Sequence, residues 1–368
     1  MKKRKILFVG SFKTGKDGGW GGQLFACKTI VNSDLKHSVD WTLLDTTHDS
    51  NISSSKYRRI QKSVFRMIKF IYFTIFYKFD FFLIFVSDGW SFWEKGFMSI
   101  LVKYFSNAKV VLAPRSGFII NDLNNKTKLS RFIKFVLQKS DFVVCQSNSW
   151  KLLFEKTSTQ KNDKKYLVIE NMIDYEKYAQ LPLKNTYDNQ IITILFLSWV
   201  TKSKGIYELI DAAKLLKKDG FDFKIIIGGK GEDFASVENE ILTSNMSNYV
   251  SLEGWIVGDE KLKVLKESDI YVLPTYFEGY PNSLMEAMAS SKACIGTRVG
   301  SIPDMIDHKI NGLLIEKENH HELYLALKYL ITHPIERVEM AQNAKVSIRN
   351  TNSIPIVISK FEKIFKQD

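Results

Sequence analysis

The chain of 368 residues is 45% apolar, which is enough to form two hydrophobic cores and excludes a single small binding module. Its formal charge of +12 lies in the first half: residues 1–185 hold 31 basic and 15 acidic side chains, whereas residues 186–368 hold 21 and 25. A basic half is typical of proteins that bind an anionic partner. The three cysteines are far apart, which excludes a disulfide framework or a zinc cluster and favours a reducing cytosol. We expect no export signal, because the apolar run 6–9 near the start is too short for one, and no membrane span, because charges interrupt the most apolar stretch, 64–86.

Short apolar runs alternate with longer helical stretches along the whole chain. Runs that are apolar throughout are typical of strands covered on both faces, so the pattern predicts an α/β fold of two Rossmann-like, doubly wound parallel sheets facing a cleft. We expect an N-terminal domain over 1–185, a C-terminal domain over 186–350 after a polar linker, and a final helix over 351–368 that returns to the first domain. The predicted strands are 6–9, 41–44, 81–86, 110–113, 142–145 and 167–169, then 191–196, 224–227, 250–252, 270–273, 293–295 and 313–315.

The first predicted strand runs into a Gly-rich loop. Residues 10–17 match the spacing of a Walker A loop except at the last position, where Asp17 replaces the hydroxyl that Mg²⁺ needs. The better candidate is 18–23, where Gly21 and Gly22 would let the backbone approach a phosphate at a helix N-terminus. A simple turn between strand and helix is the alternative.

Residues 57–105 contain 17 aromatic residues, the most unusual composition in the chain. Basic residues recur at helical spacing within 57–80, and apolar residues recur on another face; they are Arg59, Lys62, Arg66 and Lys69, and Ile60, Val64, Met67, Ile71 and Ile75. A basic amphipathic helix indicates a membrane-surface element, so we expect peripheral contact with the inner face of the cell membrane. A core helix with a solvated basic face is the alternative. Nucleic acid is disfavoured as a partner, since no recognition motif accompanies the aromatic residues.

Two carboxylates flank a predicted helix start in 268–289. A strand ends at Pro274, a loop presents Glu278 and Gly279, and the helix that follows carries Glu286. Backbone N–H groups of 282–284 can bind a diphosphate there, while the carboxylates accept hydrogen bonds from sugar hydroxyls. The alternative is that Glu286 stabilises the helix start and Glu278 is a surface residue.

The segment FEGYPNSLMEAMA closely resembles the signature of retaining glycosyltransferases of the GT-B fold, family 4 type, also called group 1. Other stretches resemble the same family: 197–210 its donor-phosphate loop, 226–232 its next strand and loop, 252–257 the loop beside the base, and 297–311 the segment after the helix. In the first half, 145–154 and 168–174 also resemble family patterns.

The resemblance implies roles for the matching residues. Glu278 would hydrogen-bond the donor sugar, Lys204 would hold the diphosphate, and Glu286 would bind the ribose. The remaining implied donor contacts are Gly21, Gly22, Trp255, Gly279, Tyr280, Pro281, Asn282, Ser283 and Leu284. Arg115 and Gly117 are implied on the acceptor side. Asp88, directly after a predicted strand, is a further catalytic candidate, with a polar surface residue as the alternative.

Two positions depart from the family pattern. Trp199 stands where the family has a phosphate-binding Arg, for which Lys202 is a candidate substitute, and no histidine lies at the expected strand end of the first domain. The chain also has no Asp-x-Asp pair. We therefore expect no metal and no cofactor, and the resemblance implies retention of configuration, with the leaving phosphate taking the proton of the acceptor.

These features predict a cytoplasmic hexosyltransferase that moves a sugar from a nucleotide-sugar donor to a glycan or lipid-linked acceptor in surface polysaccharide or glycoconjugate synthesis. A non-catalytic protein of the same fold, binding a nucleotide sugar or a partner subunit, is the alternative that Trp199 suggests. A nicotinamide-dependent enzyme is disfavoured, since neither predicted sheet has a Gly-x-Gly-x-x-Gly at its first turn.

Overall fold

The computed structural model describes residues 3–14, 22–47, 56–125, 127–157, 164–182 and 191–367. The chain divides into two compact units: unit 1 runs to Met172 and resumes at Pro355, and unit 2 is Ile173–Ile354. Unit 2 thus begins before the predicted boundary at 185, because Ile173 and Tyr178 are buried in its hydrophobic core.

Unit 1 contains a parallel sheet of six strands in the order β2-β1-β3-β4-β5-β6. The strands are β1 (Arg4–Gly10), β2 (Val39–Asp45), β3 (Phe81–Val86), β4 (Lys109–Pro114), β5 (Phe142–Cys145) and β6 (Tyr166–Val168). The helices between them are α1 (Gly22–Asn32), α2 (Lys56–Phe76), α3 (Gly89–Phe105), α4 (Phe118–Asn124), α5 (Lys128–Lys139) and α6 (Asn148–Glu155). Residues of β3 are buried throughout, as expected for a strand covered on both faces.

Unit 2 contains a second parallel sheet, in the order β12-β11-β10-β7-β8-β9. Its strands are β7 (Ile192–Leu197), β8 (Phe223–Gly228), β9 (Val250–Gly254), β10 (Ile270–Leu273), β11 (Ala293–Thr297) and β12 (Leu313–Ile315). Its helices are α7 (Tyr175–Ala179), α8 (Ile206–Lys218), α9 (Phe234–Thr243), α10 (Gly258–Glu267), α11 (Asn282–Ala289), α12 (Ile302–Met305), α13 (His320–Thr332) and α14 (Pro334–Asn352). The chain then forms α15 (Ile354–Phe365), where Phe365 packs edge-to-face on Trp41 and Phe81 of unit 1.

The prediction of two doubly wound parallel sheets is confirmed, and each predicted strand is present with its ends shifted by at most two residues. In each sheet the strand order reverses beside the first strand of the unit, between β1 and β3 and between β7 and β10. Loops after the carboxyl ends of strands at such a reversal form the ligand site in open α/β sheets. Within the part of the chain that is described, no helix is long and apolar enough to span a membrane.

Candidate functional site

Lys204 and Glu278 meet at the strand reversal of unit 2. Lys204 ends a short 3-10 turn after β7, and Glu278 lies in the loop after β10. The Lys204 ammonium forms an ion pair with Oε1 of Glu278, and the two side chains are only 20% and 15% exposed. Two residues that are 74 positions apart in the sequence therefore form one partly buried charged pair.

A backbone hydrogen bond and close packing hold together the two loops that carry this pair. The N–H of Tyr276 donates to the carbonyl oxygen of Ser203 at 2.9 Å. Gly205 has a φ of +73°, and a Cβ at this position would overlap the carbonyl of Pro274. Glycine is required there both by the left-handed backbone and by the close approach of the two loops.

A third loop fixes the other side of Glu278. The hydroxyl of Thr297 donates to the carbonyl of Thr275 at 2.6 Å, and the N–H of Ser301 donates to the carbonyl of Gly279 at 3.2 Å. Gly300, with a φ of +55°, packs so closely on the backbone of Glu278 that a Cβ would overlap it. The Glu278 loop is therefore held from both sides, and its carboxylate has a defined position.

Helix α11 begins directly after this loop. Pro281 occupies the N-cap position and no side chain caps the helix, so the N–H groups of Ser283 and Leu284 point out of its N-terminal end. The Ser283 hydroxyl accepts a hydrogen bond from the buried Tyr271 hydroxyl at 2.7 Å. A helix N-terminus of this kind attracts phosphate through its N–H groups and its dipole.

Glu286 is held by two residues that the sequence did not point to. Its two carboxylate oxygens both lie 3.0 Å from the Lys261 ammonium, and Oε1 also accepts from the Tyr178 hydroxyl at 3.0 Å. Burial, together with the Glu286 carboxylate, raises the pKa of Tyr178 well above its usual range. Lys261 lies on α10 and Tyr178 on α7, and no motif spacing links either residue to α11.

An exposed pair of tryptophans stands beside this site. Trp199, after β7, and Trp255, after β9, pack edge-to-face with ring centroids 4.7 Å apart and an interplanar angle of 89°. Lys230 also lies here, because a Cβ on Gly254 would be 3.3 Å from its Cε. Lys230 is exposed and was not predicted, whereas the predicted substitute Lys202 is exposed and donates its backbone N–H to Asp233 at 2.6 Å.

Three other predicted donor residues are buried, and this limits them to backbone contacts. The Tyr280 side chain points into unit 2 and accepts a hydrogen bond from the Asn352 amide at 2.7 Å, while Pro281 and Leu284 are also buried. The prediction for Gly21 lies outside the described residues, and Gly22 is the first residue of α1.

The predicted residues of unit 1 lie after β3 and β4. Asp88 precedes α3 and accepts from the Ser87 hydroxyl at 2.8 Å, without capping the helix. Gly117 is the N-cap of α4. Arg115 donates its backbone N–H to Val86 at 2.8 Å, so its side chain starts at the carboxyl ends of both strands.

Helix α2 differs from the core helix that was the alternative. Ile60, Val64, Ile71 and Ile75 are exposed, whereas the buried side consists of Ser63, Phe70 and Thr74, with Met67 and Phe73 partly buried. Arg66 is not part of a solvated basic face: its guanidinium forms two hydrogen bonds of 2.8 Å with the buried Glu94 carboxylate. The side chain of Arg59 is outside the description. A cavity of about 790 Å³ separates this helix from the ends of β1 and β2.

Comparison with known proteins identifies the second unit. Residues 179–347 match the family model described as Glycosyl transferases group 1. The chain carries a glycosyltransferase group 1 domain. The match includes Lys204, Glu278, Glu286, Lys261 and the whole of α11, whereas Tyr178, which hydrogen-bonds Glu286, lies directly before it.

Two curated relatives are similar to this protein over more than half of its chain. An uncharacterized glycosyltransferase of Methanocaldococcus jannaschii is 31% identical over 61% of this chain and 59% of its own length. The N-acetyl-alpha-D-glucosaminyl L-malate synthase of Bacillus anthracis is 28% identical over 68% of this chain and 65% of its own. The chain thus matches less than two thirds of either relative.

A solved structure supports the fold. HepE of Anabaena, crystallised in complex with UDP and glucose, superposes with a TM-score of 0.72 over 99% of this chain and 100% of HepE, at 14% identity. The fold is GT-B, as predicted.

Proposed function

We propose that this protein is a glycosyltransferase that moves a hexose-type sugar from a nucleotide-sugar donor to a glycan or lipid-linked acceptor, in the synthesis of surface polysaccharide or glycoconjugate. The observation that carries the proposal is the Lys204–Glu278 ion pair beside the uncapped N-terminus of α11. This arrangement places a cation, a carboxylate and backbone N–H groups at the strand reversal of unit 2.

The departing nucleoside diphosphate accumulates negative charge, which the Lys204 ammonium and the α11 N-terminus are placed to stabilise. When Lys204 turns to the phosphate, Glu278 loses its ionic partner and its carboxylate can accept hydrogen bonds from sugar hydroxyls. Both side chains are mostly buried, so the interactions act in a medium of low dielectric constant. In the same way, when the nucleotide binds, the Glu286 carboxylate leaves Lys261 and Tyr178 and accepts hydrogen bonds from the ribose hydroxyls.

Two of the similar proteins agree with such a donor. HepE was crystallised with UDP and glucose, and the Bacillus anthracis relative is an N-acetyl-alpha-D-glucosaminyl L-malate synthase. We further propose that transfer retains the anomeric configuration and needs no metal or cofactor, in keeping with the absence of an Asp-x-Asp pair from the sequence.

We also propose that α2 binds the surface of the membrane that presents the acceptor. Its exposed face consists of large apolar side chains, among them Phe65, Ile68 and Phe76, which are 71%, 60% and 71% exposed. Exposed apolar residues in such number mark an interaction surface. Lys62 and Lys69 lie on the same helix and are also exposed. An apolar face flanked by lysines suits the interface of an anionic bilayer.

A binding protein without turnover is the second candidate. Trp199 brings an indole to the position of a phosphate-binding guanidinium, and it packs on Trp255 instead of supplying a charge. Binding of a nucleotide sugar would survive this replacement better than stabilisation of the leaving diphosphate.

Incubation with a panel of nucleotide sugars, with and without a membrane lipid extract, distinguishes the two candidates. The proposal predicts release of one nucleoside diphosphate that depends on acceptor and is unaffected by a metal chelator, with the configuration of the product read by NMR. Saturable binding of a nucleotide sugar without release, for every acceptor fraction, would contradict catalysis and favour the binding protein.

A further inference from the structure

The carboxyl end of the sheet in unit 1 holds a buried guanidinium with unused donors. Arg115 lies over the Phe85 ring, with its central carbon 4.1 Å from the centroid, and its Nη1 donates to Oδ1 of Asn171 at 2.9 Å. Its Nε and Nη2 are buried and have no hydrogen-bond partner among the described residues. These two N–H groups form the side of a guanidinium that binds carboxylate or phosphate through two parallel hydrogen bonds.

Gln146 adds an unused acceptor next to this group. Its Nε2 donates to the same Asn171 oxygen at 2.6 Å, so Gln146 and Arg115 share one partner. Gln146 is 1% exposed, and its Oε1 has no hydrogen-bond partner within the described ranges. A buried polar atom that is left without a hydrogen-bond partner destabilises the folded state. Three such atoms around one oxygen of Asn171 are therefore best explained by a polar ligand.

A second buried cation comes from α3. Lys95 is 5% exposed and makes no hydrogen bond or ion pair with any described residue. The carboxylate of its neighbour Glu94 is already engaged by Arg66. Burial raises the pKa of the Cys27 thiol to about 12, while the charges of Arg115 and Lys95 act on it in the opposite direction.

The Cys27 thiol lies at the carboxyl end of a strand. A Cβ on Gly10 would lie 2.7 Å from the Cys27 sulfur, which places the thiol at the end of β1. Arg115 follows β4 and Gln146 follows β5, so both lie at the carboxyl edge of the sheet in unit 1. Arg115 and Gly117 are partly exposed, which gives a ligand access from the loop after β4. The charge of Asp45 also acts on Lys95 and Cys27, but this carboxylate is already engaged by Phe12, Thr47 and Lys13.

We propose that Arg115, Lys95 and Gln146 bind the phosphate group of a phosphate-bearing acceptor. Two buried cations match the charge of a phosphate monoester, which is close to −2 at neutral pH. The paired donors of Arg115 fit two phosphate oxygens, and Oε1 of Gln146 accepts from a hydroxyl of the same ligand. That the phosphate belongs to an acceptor rests on the proposed function, whereas binding of phosphate to unit 1 does not.

Binding is measured by calorimetry with inorganic phosphate and with glycerol 3-phosphate. All proteins carry Lys204→Met, so that the diphosphate site of unit 2 does not contribute. We expect both ligands to bind saturably, with an affinity that Arg115→Met and Lys95→Met each lower at least tenfold. Glycerol 3-phosphate should bind more tightly than inorganic phosphate, and Gln146→Leu should lower its affinity to that of inorganic phosphate. Arg131→Met, which removes an exposed cation of α5, is the matched control and leaves binding unchanged.

Lys95→Met keeps the test decisive if Arg115→Met does not fold, because it replaces a buried charge by an apolar side chain of similar length. Equal binding by Lys95→Met and its parent, or no binding by the parent, would overturn the site. If short-chain phosphatidic acid competes with the phosphate ligand, the source of the phosphate is a lipid headgroup. If it does not compete, the source is a soluble phosphate ester. If wild type releases no nucleoside diphosphate from any donor, the proposed function fails while phosphate binding in unit 1 still stands.

Discussion

Replacement of three exposed isoleucines of α2 by serine tests the membrane surface. Ile60, Ile68 and Ile75 are 53%, 60% and 53% exposed in the free protein. Complete burial of an isoleucine side chain contributes about 1.5–3 kcal/mol, so inserting the exposed half of each contributes roughly 1 kcal/mol. The three together contribute about 3 kcal/mol, which corresponds to a change of about 100-fold in the partition constant.

The assay is flotation with vesicles that contain anionic lipid. The matched control is a triple serine variant of unit 2 at Leu242, Ile310 and Ile335, each of which is 61% exposed. We expect the α2 variant to stay with the soluble fraction and the control to float like wild type, with unchanged circular dichroism for both. Equal flotation of all three proteins, or equal loss in the two variants, would refute the role of α2. Arg66 is excluded from such variants because it neutralises a buried carboxylate.

Three further predictions concern the stability of single positions. Arg66→Met should lower the free energy of unfolding in urea by about 3 kcal/mol, because it leaves a carboxylate buried without a partner, whereas Lys62→Met should change it little; equal effects would contradict a structural ion pair. Gly205→Ala should lower the melting temperature and weaken donor binding more than Gly220→Ala does, because both glycines have a positive φ but only Gly205 abuts another backbone segment. Equal melting temperatures of the two variants would argue against the close approach of Gly205 to Pro274. Burial lowers the pKa of Lys95 to about 8, so above that pH the unfolded chain binds more protons than the folded protein, and the free energy of unfolding of wild type should rise relative to that of Lys95→Met between pH 8 and 10. Parallel profiles of unfolding free energy against pH for the two proteins would show that this lysine is not buried.

The strands could be predicted from local signals, and Lys204 and Glu278 could be predicted as site residues from the resemblance to a family motif, although their ion pair could not. Each strand is a short apolar run, and each of the two charged residues lies in the segment that follows such a run. Parallel strands bring their carboxyl ends to one edge of the sheet, so residues that follow neighbouring strands come together without further information.

The partners of Glu286 could not be predicted in this way. Lys261 and Tyr178 reach it from helices whose orientation depends on packing in unit 2, and neither residue directly follows a strand. Arg66 shows the same difficulty: its helical spacing indicated a basic face at a membrane surface or, as the alternative, in solvent, yet its partner Glu94 comes from α3. Side-chain contacts between helices depend on tertiary geometry that the spacing of residues within one helix does not contain.

The exposed face of α2 marks a different limit. Its isoleucines recur at helical spacing, which is typical of a face that packs on a core. The structure instead buries Ser63, Phe70 and Thr74 against unit 1 and leaves the isoleucines at the surface. Periodicity identifies an amphipathic helix, whereas only the fold shows which of its faces is covered.

The rate of nucleoside diphosphate release by Lys204→Met, compared with that of Lys214→Met, tests the central claim most directly. Lys214 is the matched control because it also forms ion pairs in unit 2, with Asp211 and Glu240 at 2.9 and 2.7 Å, but on the outside of α8. If Lys204 stabilises the departing diphosphate, its loss should lower kcat by about 10²–10³-fold, as is usual for a group that stabilises developing charge. Lys214→Met should retain the wild-type rate. An unchanged kcat in folded Lys204→Met, or an equal loss in both variants, would contradict the assignment of this site.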